Sequence, residues 1–103
     1  MKTSEVLFGA IDVLRERGWC QHIYEDKDGH ICMMTAVMIA SGKRSMKLMD
    51  WSDHAVGCFA VMQTIMHVTE CSVGEFNNFH CKSIDDACAA LEIVACCSAA
   101  DGD

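Results

Sequence analysis

A chain of 103 residues folding alone withdraws only about two-thirds of its unfolded surface from water, yet 51% of these residues are hydrophobic. That mismatch constrains the chain more than any motif in it. The apolar content, which includes eight Met, is enough for a packed globule and too high for a disordered chain. It predicts a single helical domain over residues 1–98 with a frayed tail at 99–103. It also predicts apolar area left at the surface for another chain to cover.

Charge and cysteine use narrow the function classes. Eight cations against 15 carboxylates leave a net charge of −7, so nucleic acid, whose binders need a surplus of cations, is not an expected partner. The longest uncharged run, Ala55–Thr69, contains Gln63, Thr64 and His67 and is too short and too polar for a membrane. In residues 1–17, Lys2, Glu5, Asp12, Arg15, Glu16 and Arg17 interrupt any apolar stretch of the kind a secretory signal needs. The expected location is cytoplasmic, with reduced thiols, and most of the eight Cys, set among apolar residues, read as small core hydrophobes.

Periodicity gives a mainly α fold of about four helices, with one short β-hairpin between the first two. Residues 3–17 carry Leu7, Ala10, Ile11 and Leu14 at helical steps, with Thr3 or Ser4 to cap them and Gly18 to end them. Gln21–Tyr24 and His30–Cys32 flank an Asp-Gly turn, the pattern of a hairpin. Residues 32–41 form a short helix that is apolar almost all round. A basic linker, Lys43–Lys47, and Trp51 precede a third helix at roughly 53–69, faced by Ala55, Cys58, Phe59, Met62, Ile65 and Met66. Residues 71–82 read as irregular. Ser83 caps a last helix with Asp85 and Asp86 in its first turn and a stripe through Ile84, Ala87, Cys88, Leu91, Val94 and Ala95.

Three segments carry a resemblance: Glu16–Gln21, Gly29–Cys32 leading into a small-residue helix, and Phe76-Asn77-Asn78 followed by Ser83–Ala87. With these the chain resembles a family of small uncharacterised proteins from actinobacteria and their phages, a domain of unknown function. His30 stands where that family has Arg, and Asn78 where it has Asp. The resemblance implies a small, mainly helical domain and no particular activity.

Three constellations are chemically suggestive. Cys20, His22, His30 and Cys32 lie on the two arms of the expected hairpin, where residues two apart share a face, so they are candidate Zn²⁺ ligands, although their spacing is not the usual one. Cys32 at a helix start, with His80 and Asn78 later in the chain, has the order of a small cysteine hydrolase. The acidic loop Glu25–Gly29 lacks the calcium-loop pattern and reads as a solvated turn. Trp19, Tyr24, Trp51, Phe76 and Phe79 sit at element edges or in loops, as lids over the core or anchors for a partner, and of these Trp19, Trp51, Phe76 and Phe79, with Asn77 and Asn78 between the last two, are the candidate binding residues. The leading expectation is a non-enzymatic domain that binds protein and self-associates, such as a phage-encoded modulator of a host protein, with no cofactor. A small-ligand or Zn module and a cysteine hydrolase are the alternatives.

Overall fold

The computed structural model describes residues 2–42, Cys58, Met62 and 73–103. In chain order the elements are α1 (Thr3–Arg17), α2 (Met33–Ala40), α3 (Val73–Glu75), which runs on as a π-helical turn (Phe76–His80), and α4 (Ile84–Ala100). The helical stripes fall largely where periodicity put them, with Ile11 and Ile84 only partly buried. α1 buries Val6, Leu7, Ala10 and Leu14, and α4 buries Ala87, Cys88, Leu91, Val94 and Ala95. α1 packs against both α4 and α2. α2 is central, with Met33, Thr35, Ala36, Val37 and Met38 all buried. No described helix is long and apolar enough to cross a membrane.

The helix ends show local chemistry. Cys32 is the N-cap of α2, its Sγ accepting the Thr35 N–H at 3.5 Å. Lys2, rather than Thr3 or Ser4, occupies the N-cap position of α1. The orphan N–H groups of Thr3 and Ser4 go to Asp103, at 3.2 Å to its carboxylate and 2.8 Å to its carbonyl. The end set apart as frayed is therefore tied across the start of the first helix. The side chain and backbone of Thr3 hold the Asp103 carboxyl below its ordinary range.

Three expectations change. The hairpin between α1 and α2 does not form a ladder. Ile31 instead makes two isolated bridges, parallel to Trp19 and antiparallel to Glu25. Its N–H goes to Gly18 and its carbonyl accepts from Cys20, while Cys32 bonds Tyr24. Pairing with residues 18–20 competes with the outgoing arm, and His22 at φ +68° breaks that arm as a strand. Second, residues 73–80 are helical rather than irregular, closed by an i→i+5 bond from the Cys81 N–H to the Phe76 carbonyl. Third, of the helix expected at 53–69 only Cys58 and Met62 are described. Both are helical and buried, one turn apart. The rest of it, Trp51 and the basic linker lie outside the described residues.

Candidate functional site

Gly18 ends α1 at φ +90°, a region that only glycine enters without strain, and a Cβ there would sit 2.5 Å from Cδ2 of His30. This sharp exit carries residues 19–22 across to the π-turn, where Asn77 receives them. Asn77 is 1% exposed. Its Oδ1 accepts from the Trp19 indole N–H at 2.8 Å and the Met33 N–H at 3.1 Å. Its Nδ2 donates to the Cys20 carbonyl and to Asn78 Oδ1, both at 3.1 Å. Asn78 Oδ1 also accepts the His22 N–H at 2.7 Å. Gln21 Nε2 covers the carbonyls at the end of the π-turn, reaching Asn77, Asn78 and Cys81 at 3.1, 3.1 and 2.9 Å. One side chain in the loop thus satisfies acceptors that the helix end leaves open.

Beside this junction lies a cleft of about 430 Å³ lined by His22, Ile23, Tyr24, Cys32, Met34, Asn77 and Asn78, within the size range of ligand pockets. Five large hydrophobics are exposed among the described residues, and three gather here: Ile23 (56%), Tyr24 (41%) and Phe79 (73%). Ile23 and Tyr24 line the cleft. The Phe79 ring meets the ring of His22 edge-on, with centroids 5.4 Å apart.

The sequence candidates separate. Asn77, Asn78 and Phe79 belong to this site. Trp19 is half-buried and its N–H is committed to Asn77. Phe76 stacks on His80 at 5.9 Å. The four metal candidates do not come together. The Cys20 S–H is directed at the carbonyls of Ile23 and His30, at 3.3 and 3.4 Å. Burial, then the Cys32 thiol and Asp26, push the Cys20 thiol up to about 11. The His30 ring bonds Asp26 at 2.9 Å. His30 does fall within 4.8 Å of the ligand atoms of Asp26 and Asp28. That arrangement is the architecture of the turn itself: Asp26 Oδ1 accepts the N–H groups of Asp28 and His30, both at 2.9 Å.

The hydrolase candidates are also apart in role. Cys32 and Asn78 line the cleft, whereas His80 is exposed and lies against Phe76. Thr35 Oγ1 donates to the Tyr24 carbonyl at 2.8 Å, which commits its proton. The 3.4 Å contact between Cys32 Sγ and Thr35 Oγ1 must then be donated by the thiol. Gln21, Ile23 and Met34 were missing from the sequence candidates, whereas Tyr24 was among the edge aromatics expected to be lids or anchors. Ile23 sits in an alternating run that reads as a strand, so nothing local marks it as exposed.

No curated protein and no solved structure matches the chain. A family profile does, over residues 1–95. It covers both sides of the junction, from the loop after α1 to the π-turn, and the helices that hold them. The chain belongs to the family of unknown function DUF6197.

Proposed function

We propose that this protein is a non-enzymatic recognition domain that takes an apolar segment of another protein into the cleft and over Ile23, Tyr24 and Phe79. The observation that carries this reading is the gathering of three of the five exposed large hydrophobics around one 430 Å³ cleft. The chain's charge selects the occupant. At −7, two copies repel each other, whereas a segment flanked by Lys or Arg is attracted. Covering the three side chains contributes on the order of 4 kcal/mol, comparable to the lower end of what association costs. These three side chains by themselves therefore leave almost no net affinity, and the cleft must add directed contacts.

The test is selection of a random-peptide display library on the immobilised full chain. Basic, apolar peptides are expected to be enriched, and the double variant Ile23→Ser/Phe79→Ser to bind them at least tenfold more weakly, while Phe8→Ser and Ile93→Ser, at the other two exposed hydrophobics, bind normally. Far-UV circular dichroism checks that each variant is folded. No enrichment, or equal binding by the patch variant, overturns the reading. Light scattering that shows a dimer lost in the patch variant replaces the proposed occupant with a second copy.

A further inference from the structure

Three obligate donors fix the orientation of the two side-chain amides beside the cleft. Trp19 Nε1–H and Met33 N–H both meet Asn77 at one terminal atom, which must be its oxygen. Asn77 Nδ2 then faces Asn78, and the His22 N–H meets that same Asn78 atom, which must also be oxygen. The bonds run in one direction, from the indole through Asn77 to Asn78, each polarising the next. The chain ends on Asn78 Nδ2, which has no acceptor among the described residues, on a residue that lines the cleft. The other cleft residues are Ile23, Tyr24, Met34, Cys32, His22 and Asn77, with no Lys or Arg among them.

We infer that the cleft recognises a neutral hydrogen-bond acceptor attached to an aliphatic group: a main-chain carbonyl beside a Leu-like side chain, with the carbonyl accepting from Asn78 Nδ2 and the side chain lying against Ile23 and Met34. A carboxylate is disfavoured, because no Lys or Arg lines the cleft and the whole chain carries −7. A purely apolar occupant leaves the Asn78 donor without a partner. This inference rests on the recognition role proposed above and specifies the chemistry of what is recognised.

Asn78→Asp isolates the donor. Its carboxylate still accepts from His22 N–H and Asn77 Nδ2, so the junction keeps its bonds and only the outward donor becomes an acceptor. The probe is N-acetyl-leucine N-methylamide, a neutral dipeptide mimic that the added charge neither attracts nor repels as an ion. Isopentylammonium, a donor with a similar aliphatic tail, is the counter-probe. Titration of the isotope-labelled full chain, followed by nuclear magnetic resonance, is expected to move the Met34 methyl and the Asn78 side-chain NH₂ signals with the amide. Asn78→Asp is expected to weaken the amide about tenfold and to bind the ammonium more tightly than the wild type does. An unmoved Asn78 NH₂ signal in the wild type, no binding of the amide at about 10 mM, or equal amide affinity in Asn78→Asp overturns the inference. The patch variant separates the two claims. If Ile23→Ser/Phe79→Ser loses the displayed peptides while Asn78→Asp keeps the amide, the acceptor assignment fails and the recognition role stands.

Discussion

Leu91 in α4 and Asn77 in the π-turn are equally sealed from water, at 0% and 1% exposure, but by different physics. Leu91 sits in a stripe of apolar neighbours shared by α1, α2 and α4, where any side chain of similar volume and greasiness serves. Asn77 meets two donors and two acceptors from four other residues, and each needs its partner at one position. Non-directional burial tolerates substitution and leaves no unmet groups. Directional burial tolerates little, because each lost bond leaves a sealed polar atom behind. The site is built at the directional end of the molecule, where a fixed hydrogen-bond pattern specifies one arrangement of loop and π-turn.

The contrast is broken most directly by Asn77→Leu, which keeps the branching at Cγ but is larger and more hydrophobic. It strands the N–H groups of Met33 and Trp19 and the Cys20 carbonyl, with an expected loss of about 4 kcal/mol. That is at least as large as the roughly 3 kcal/mol expected for a cavity-forming Leu91→Ala. Urea denaturation measures both, and an Asn77→Leu protein within about 1 kcal/mol of the wild type would show that the junction is held by packing alone. Gly18→Ala comes next. Its φ of +90° and the 2.5 Å approach to the His30 ring give an expected cost of about 2 kcal/mol, read in the same denaturation series. Trp19→Phe keeps most of the ring and deletes one donor to an oxygen that Met33 still satisfies. About 1 kcal/mol is expected.

The smallest effect is in pH. Burial raises the Asp26 carboxyl, but the His30 N–H, the His30 ring and the Asp28 N–H together bring it below its ordinary 3.8. A carboxyl lowered by folding adds stability that is complete above its unfolded value and fades as pH falls through the folded one. The thermal midpoint of the wild type is therefore expected to drop below about pH 4, and that of Asp26→Asn to drop less steeply there. Asp103, lowered by Thr3, accounts for part of the slope that remains. Identical slopes for the two proteins would remove the turn from the set of directional contacts.

Much of the helical scaffold is legible in the chain. The stripes of α1 and α4, the Gly18 stop and the acidic first turn of α4 all come from neighbours within one or two helical turns, where spacing alone decides which residues share a face. The site is less legible. Phe76-Asn77-Asn78 reads as a polar loop because the partners that make Asn77 a buried hub lie 44 to 58 residues away. The expected hairpin gave way for a similar reason. Gln21–Tyr24 has strand-like residues, but pairing of Ile31 with residues 18–20 and anchoring of Gln21 and His22 on the π-turn outweigh a short local ladder.

What the sequence determined by itself was a mainly helical fold, because helical period and composition are local and additive quantities. Where the exposed hydrophobics of the described residues would gather, and which way the amides beside them would face, was decided only when the loop after α1 met the π-turn. Hydrogen-bond direction belongs to pairs of groups brought together by the fold, and no single segment carries it.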